Sequence, residues 1–327
     1  MYRKLVFGTL CLTLVVVVVG AYVRLQDAGL GCPDWPGCYG HWVGVPEQAH
    51  EIERAGQVFP GKPVEAGKAW KEMFHRYIAG VLGILIVAVM ATAWLRRNEL
   101  RQPPWLPTAL VALVTLQAAL GMWTVTLLLK PVIVTLHLLG GMATFGLITW
   151  LALRQIAWPA APTVAHPLRP WAAIGLVVLI CQVALGGWVS ANYAALACLD
   201  FPTCRGAWIP QMDFRHGFHF TRELGMTVDG APLTLEALTA MHWAHRIGAL
   251  ITFIYLAGLA VALIRFAGLA RYGALLAVAL ILQVALGVAN VVFRLPLAVA
   301  VAHNAGAAVL LATLVVINFA LSRPPPQ

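Results

Sequence analysis

The stretch EMFHRYIAGVLGILIVAVMATAWL, residues 72–95, leads from a polar step directly into a long apolar run. As a helix that rises about 1.5 Å per residue, such a run crosses roughly 30 Å of hydrocarbon. His75 then lies at one membrane face or just inside it, where an ionisable side chain needs a partner. The same polar step recurs near residue 245. The stretch therefore predicts both a membrane span and a functional position.

The whole chain is similarly apolar. Of its 327 residues, 61% are hydrophobic and 11% are charged, which is far too apolar for a soluble domain. We expect an all-α integral membrane protein with eight transmembrane helices. The apolar stretches are 4–24, 76–95, 105–129, 132–153, 171–191, 243–264, 272–293 and 297–321. The first is interpreted as a span, because no convincing cleavage site follows it.

The formal charge of +9 is one-sided. Ten of the 22 bases fall on the side of the termini with one acid, Glu99, whereas the other side carries 12 bases and 12 acids. The positive-inside rule then places both termini in the cytoplasm and the long loops 26–74 and 192–241 outside. The bases are spread over short loops, so we expect no nucleic-acid partner. A short N-terminus without an Arg- and Ser-rich presequence favours a bacterial plasma membrane.

The chain contains an internal repeat. The halves 1–158 and 159–327 each have four spans, with a long loop after the first. The recurring residues are the Cys-x-Asp-aromatic-Pro-x-Cys motifs at 32–38 and 198–204, His75-Arg76 and His245-Arg246, Gln117 and Gln283, Gly121 and Gly287, and His137 and His303. Because each half has four spans, the second half enters the membrane in the orientation of the first. This predicts a parallel repeat of two pseudo-symmetric four-helix bundles.

The cysteines of each motif lie close together in sequence. Cys32 and Cys38 belong to the first long loop, and Cys198 and Cys204 to the second. An oxidising outer compartment permits disulfides, and the spacing makes a short closed loop plausible within each pair.

Four histidines occupy repeat-equivalent positions in or at the ends of spans. His75 and His245 are expected at the start of their spans, and His137 and His303 about one and a half turns into theirs. A single such histidine is more often a hydrogen-bonded interior residue, but four at matched positions favour two imidazole pairs that each grip a haem iron. Zinc or copper is a weaker interpretation, because two separated imidazoles leave the coordination incomplete.

Arginines and small residues accompany these histidines. Arg76 and Arg246 follow directly at the outer rim, where each guanidinium can pair with a haem propionate or extend to lipid headgroups. Gln117 and Gln283 look like helix-contact residues first and ligand contacts second. The glycines near the second histidine of each pair are expected to let a flat macrocycle approach the backbone. They are Gly140, Gly141 and Gly306.

Glu72 distinguishes the two halves. It stands three residues before His75, whereas the matching position before His245 is His242. A carboxylate beside only one iron site can act as a proton acceptor or stabilise positive charge, which assigns chemistry to the first half and electron storage to the second. The alternative is a solvated loop acid close to Lys71.

Together these motifs resemble those of the haem A synthase family, membrane enzymes that convert haem O to haem A, and the resemblance covers nearly the whole chain. It implies that His245 and His303 ligate a haem b and that His75 and His137 bracket haem O. It also implies that Glu72 is the catalytic acid and that the C8 methyl is oxidised to a formyl group through hydroxylated intermediates. Cys32 and Cys38 would form a redox-active pair; the role of the second pair is less defined.

The resemblance further implies particular partners. The lipid bilayer surrounds the protein, haem O synthase acts upstream and an unidentified donor supplies electrons; homo-oligomerisation is left open. Two other functions remain alternatives at this point. One is a di-haem cytochrome b that only carries electrons, and the other is a non-catalytic haem transporter or chaperone.

Overall fold

A computed structural model describes residues 1–100, 102–157, 167–266 and 268–322. This part of the chain is helical and contains no β-strand. The helices are α1 (Tyr2–Leu25), α2 (Ala49–Val58), α3 (Ala66–Leu95), α4 (Arg97–Leu100), α5 (Trp105–Thr126), α6 (Pro131–Leu153), α7 (Arg169–Ala191), α8 (Phe214–Gly217), α9 (Leu235–Arg265), α10 (Ala270–Val292) and α11 (Leu297–Ser322).

Eight of the described helices are long and apolar enough to cross a membrane, which confirms the predicted class and number of spans. They are α1, α3, α5, α6, α7, α9, α10 and α11. Six of them match the predicted bounds to within three residues. The apolar runs fixed these bounds because hydrocarbon tolerates few charged or unpaired polar groups.

The starts of α3 and α9 were predicted too late. α3 begins at Ala66 rather than at residue 76, and α9 at Leu235 rather than at residue 243, so both long loops end earlier than expected. Hydropathy detects only the apolar part of a helix, whereas its first turns contain polar residues that the loop satisfies. In α9 the side chain of Thr234 caps the helix by accepting a hydrogen bond from the Ala237 N–H at 3.3 Å.

His75 and His245 are therefore not at the starts of their helices. Both lie roughly three turns inside, counted at 3.6 residues per turn. His137 and His303 do lie in the second turn of α6 and α11. The early start of α3 also places Glu72 inside the helix, so that Glu72 and His75 share one helical face.

The chain divides into two compact units, Met1–Thr144 and Phe145–Gln327, with the division inside α6. The boundary expected from the sequence, between residues 158 and 159, lies outside the described residues. In the first unit α3 packs against both α1 and α5. The N-terminal half of α6 approaches α5 at Gly121 and α1 at Val17.

The second unit is a ring of neighbouring helices. α7 packs on α9, α9 on α10, α10 on α11, and α11 back on α7. Most of α11 is covered by these neighbours and by the last turns of α6, where Trp150 meets Phe319 edge to face with ring centroids 5.1 Å apart. Each unit thus places its histidine-bearing helices beside other spans. The predicted pseudo-symmetry of two bundles stays a prediction.

The first long loop folds onto the start of α3. Loop residues and the first turns of α3 form a small core around the cysteine pair. Its members are Cys32, Cys38, Tyr39, Val45, Ala55, Ala69 and Met73. Tyr39 stacks edge to face on Phe59 and donates a 2.8 Å hydrogen bond to the Pro63 carbonyl. Burial raises the pKa of the Tyr39 phenol, with nearby Glu65 adding to the effect. The loop therefore has its own packing and a fixed position on the helix that carries His75.

Gly31 lets this loop approach α3. A Cβ at Gly31 would lie 2.6 Å from the Lys68 carbonyl carbon and 2.8 Å from the Ala69 nitrogen. We expect Gly31→Ala to destabilise the protein by about 1–3 kcal/mol, because backbone atoms cannot move aside without cost. Thermal unfolding in detergent measures this. The control is Gly67→Ala, whose added Cβ meets no atom within 4 Å; equal melting temperatures for the two variants would contradict the prediction.

Candidate functional site

Each of the four predicted histidines packs on a glycine of a neighbouring span. A Cβ at Gly20 would lie 3.0 Å from His75 Cε1, and one at Gly121 would lie 3.4 Å from His137 Cε1. These contacts join α3 to α1 and α6 to α5. Glycine leaves room for the His75 ring at position 20, whereas a Cβ at position 121 would make an ordinary van der Waals contact with the His137 ring.

The second unit repeats these contacts. A Cβ at Gly186 would lie 3.0 Å from His245 Cε1, and one at Gly287 would lie 3.1 Å from His303 Cε1. Gly20 and Gly186 were missed in the sequence, although they hold matched positions near the ends of the first span of each half. The repeat offset, applied to glycines as well as to histidines, would have found them.

The imidazoles form one pair in each unit. His75 lies within electrostatic range of His137, and His245 within range of His303. All four rings lie deep among the helices, yet each keeps part of its surface uncovered. Each ring therefore keeps surface that a ligand can contact.

Such a pair suits a haem iron. In the described residues no three His, Cys, Asp or Glu side chains come together, so no protein-only tetrahedral metal site is present there. A haem supplies four equatorial ligands itself and needs only axial groups from the protein. The Nδ1 atoms of His75, His137 and His303 are buried without a hydrogen-bond partner, which leaves these rings unsatisfied as they stand. The residues therefore fit a haem in each unit.

The predicted space beside Gly140 and Gly306 is filled by protein. A Cβ at Gly140 would lie 1.8 Å from Gln117 Nε2, and one at Gly306 would lie 2.3 Å from Gln283 Oε1. These glycines admit a glutamine amide rather than a flat macrocycle, so that expectation was wrong. Gly141 instead faces α1, with its Cβ position 3.9 Å from Val17 Cγ2.

Glu72 is tied to the first cysteine loop. The residue is only 5% exposed, and Oε2 accepts a 2.9 Å hydrogen bond from the Cys32 N–H. Oε1 pairs with Arg76 Nη2 at 2.5 Å, one turn along α3. The alternative of a solvated loop acid is therefore wrong for this residue. Lys71, the expected partner of such an acid, donates instead to Gln26 Oε1 at 2.9 Å.

Arg76 connects Glu72 to the first cysteine loop. Its Nη1 donates to the carbonyl oxygens of Asp34 at 3.0 Å and Gly37 at 2.5 Å, both within the loop that the Cys32–Cys38 disulfide closes. One guanidinium therefore binds the carboxylate and the loop together. Contact of Arg76 with a propionate stays a prediction.

Arg246 binds carbonyl groups of the second cysteine loop in the same way, but without a carboxylate. It donates to the carbonyls of Thr203 at 2.8 Å and Cys198 at 3.0 Å, and the Cys198–Cys204 disulfide closes this loop. Its Nε lies 3.3 Å from His242 Nε2, in the place that Glu72 takes in the first unit. Among the described residues Glu72 is the only buried acidic side chain.

The aspartates of the two cysteine motifs shape their loops. Asp34 accepts hydrogen bonds from the N–H groups of Tyr39 at 2.6 Å and Gly40 at 2.8 Å. Asp200 accepts from the N–H groups of Arg205 at 2.6 Å and Gly206 at 2.9 Å. In both loops the acceptor satisfies a turn with positive φ, which explains why the motif has aspartate at this position.

The electrostatics of the second loop follow from these bonds. The Thr203 hydroxyl, with the N–H groups of Gly206 and Arg205, holds the pKa of Asp200 at about 2. Because this pKa is depressed, the stabilising contribution is present above the unfolded pKa of about 3.9 and is lost as the pH falls through 2. The loop therefore keeps this support at neutral pH.

Comparison with known proteins agrees with these motifs. The chain matches the family model COX15-CtaA, described as cytochrome oxidase assembly protein, over residues 3–315. It is 47% identical to the Heme A synthase of Shewanella oneidensis over 317 residues, which cover 96% of this chain and 94% of the relative. It is also 30% identical to the Heme A synthase of Caulobacter vibrioides over 330 residues, covering 94% of this chain and 92% of that protein.

The Gly20 contact generates one test. We expect Gly20→Ala to reduce the ferric haem b bound per purified apoprotein from two to about one, because the methyl group displaces the His75 ring. Absorbance titration measures the stoichiometry. Gly8→Ala in the same helix is the control, since its added Cβ meets nothing within 4 Å. Two haems bound by both variants would contradict the proposed contact.

The contacts of Arg76 lead to a second testable prediction. We expect Arg76→Lys to accelerate reduction of the Cys32–Cys38 disulfide by a small thiol about tenfold, because one ammonium cannot hold two loop carbonyls and Glu72 together. Thiol labelling followed by mass analysis gives the rate. Arg54→Lys, at an exposed position of α2, is the matched control. Equal rates would show that Arg76 does not hold the loop.

Proposed function

Because the chain belongs to the COX15-CtaA family of haem A synthases, we propose that it oxidises the C8 methyl of haem O to a formyl group. Family membership makes it an enzyme of haem A biosynthesis, and its eight spans make it a multi-pass membrane protein. The specific oxidation, its residues and its orientation are our proposal.

One observation supports placing the chemistry in the first unit. Glu72 is the only buried acid among the described residues, and it lies on the face of α3 that also presents His75. Arg76 forms an ion pair with the carboxylate and holds it in the site. The second unit has His242 and Arg246 at the matching positions, so it lacks an equivalent carboxylate.

In the proposed mechanism His75 and His137 bracket the substrate haem O in the first unit. The surrounding spans exclude water and accommodate its apolar farnesyl tail. Glu72 accepts the proton of one hydroxyl group as the doubly hydroxylated carbon becomes an aldehyde, and the other hydroxyl takes up a proton and leaves as water, so this step transfers no electrons. Arg76 holds the carboxylate in place.

The second unit is proposed to hold the resident cofactor. His245 and His303 have the paired imidazoles and the uncovered ring surface that a haem b needs. When bound there, haem b supplies one-electron transfer. Propionate contacts are assigned to Arg76 and Arg246, which requires them to share their guanidinium groups with the loop carbonyls.

The cellular setting follows from the charge pattern. We place the protein in a bacterial plasma membrane, with both termini in the cytoplasm and the two cysteine loops outside. Haem O synthase is the upstream partner because it makes the substrate, and a separate reductant supplies electrons. An oxidising outer compartment is consistent with both disulfides.

The function is tested by expressing the chain with a haem O synthase and identifying extracted haems by mass. We expect hydroxylated and formyl haem from the wild type, and a loss of at least about a hundredfold in Glu72→Gln, because a missing general base typically costs that much. Glu65→Gln, which removes an exposed acid from the same helix end, should retain activity.

Other outcomes identify the alternatives. Two bound b haems without any modified haem, and no effect of Glu72→Gln, would indicate an electron-carrying cytochrome b. Release of unmodified haem O from an active preparation would indicate a transporter or chaperone. Either result would overturn the enzyme assignment.

A further inference from the structure

Three of the four histidines share a second contact. The residue three positions after each of them is glycine, and a glutamine from the neighbouring span fills the space above it. The pairs are Gln117 with Gly140, Gln182 with Gly248, and Gln283 with Gly306. A Cβ at Gly248 would lie 2.4 Å from Gln182 Oε1, so the amide takes the place of a side chain there, as it does at the other two glycines.

The glutamine amides of the second unit also bond to the histidines. Gln182 Nε2 donates to the His245 carbonyl at 3.1 Å and lies 3.0 Å from its Nδ1. Gln283 Nε2 donates to the His303 carbonyl at 3.0 Å and lies 3.5 Å from its Nε2. These two amides are thus fixed against the histidines, whereas the buried Gln117 Nε2 has no hydrogen-bond partner among the described residues.

The same helix supplies both contacts to each ring. Gly121, Gly186 and Gly287 stand four residues after the respective glutamines, one helical turn along. The histidine therefore lies between an amide at one turn and a glycine at the next. Two points of contact restrict both the position and the rotation of the ring.

His75 lacks half of this arrangement. Its ring packs on Gly20, but the residue four positions before Gly20 is Val16, and the residue three positions after His75 is Ile78. Val16 has no amide group. The side chain of Ile78 occupies the position that a glycine holds at the other three sites. Gln182, which has no counterpart in the first half, escapes a search restricted to repeated residues.

We propose that Gln182 and Gln283 are positioning residues that fix the two haem-ligating imidazoles of the second unit, and that Val16 and Ile78 leave His75 as the exchangeable ligand of the first. This inference rests on the proposed function. A resident cofactor needs two fixed ligands, whereas a substrate must enter, expose its iron and leave. The second unit has two histidines held by amides. Among the described residues of the first unit, Gln117 packs beside His137 on Gly140 without a hydrogen bond from its Nε2, and His75 has no glutamine at all.

The physical basis is the orientation of a metal ligand by its outer partners. Loss of such a partner commonly costs ten- to a hundredfold in metal affinity. A histidine that never had the partner releases the iron correspondingly more easily. This difference allows two units with similar histidines to retain and to exchange the same kind of macrocycle.

The test installs the missing contact. In the full chain with His245→Ala and His303→Ala, only the first unit binds added ferric haem b, and transfer of that haem to excess apomyoglobin gives its dissociation rate. We expect Val16→Gln combined with Ile78→Gly to slow transfer about tenfold. Val16→Gln alone and Ile78→Gly alone are matched controls and should not slow it, because each provides only half of the arrangement.

The reverse test removes a contact. In the chain with His75→Ala and His137→Ala, Gln182→Leu should accelerate haem transfer from the second unit about tenfold and broaden its low-spin electron paramagnetic resonance signal, because the His245 ring is no longer fixed. A merely structural glutamine would lower the melting temperature of the apoprotein without changing that signal.

The outcomes separate this inference from the function. Unchanged transfer rates in Gln182→Leu, or an unchanged rate in the folded Val16→Gln/Ile78→Gly variant, overturn the positioning role even if the wild type makes formyl haem. If the double variant does not fold, the Gln182→Leu rate and signal decide alone. Confirmed rate changes in a chain that makes no modified haem would overturn the proposed reaction and leave the positioning role standing.

Discussion

The structure depends on placing imidazoles among membrane helices without leaving them unsupported. A polar ring inside hydrocarbon needs both a partner and space. Here a glycine on the neighbouring span supplies the space for each ring, at Gly20, Gly121, Gly186 and Gly287. Each of these glycines brings a helix pair together at the level of a histidine. The contact that packs the two helices therefore also positions the imidazole.

A second constraint joins the loop to the site. Arg76 binds Glu72 through one nitrogen and the carbonyls of the first cysteine loop through the other. Glu72 also receives the Cys32 N–H directly. The disulfide loop thus forms part of the environment of the buried acid. The second loop has the same link to Arg246, but no carboxylate completes it.

The differences between the halves carry the functional information. The recurring residues form the proposed haem sites, whereas the differences between Glu72 and His242, and between Val16 and Gln182, distinguish the two halves. The sequence identified the first difference because it adjoins a histidine. It missed the second because Val16 and Gln182 are far in sequence from the histidines concerned, and only helix packing reveals their relation.

The amino-acid sequence by itself determined the class, the eight spans and which four histidines lie in them, because apolar length and recurring motifs are local properties of the chain. It did not determine where α3 and α9 begin, since their polar first turns are stabilised by loops rather than by hydrocarbon. Only the tertiary structure decided which glycine contacts each imidazole, which glycine contacts a glutamine amide, and which groups Arg76 binds. Those contacts join residues on different helices, and their distances depend on packing that no periodicity in a single segment records.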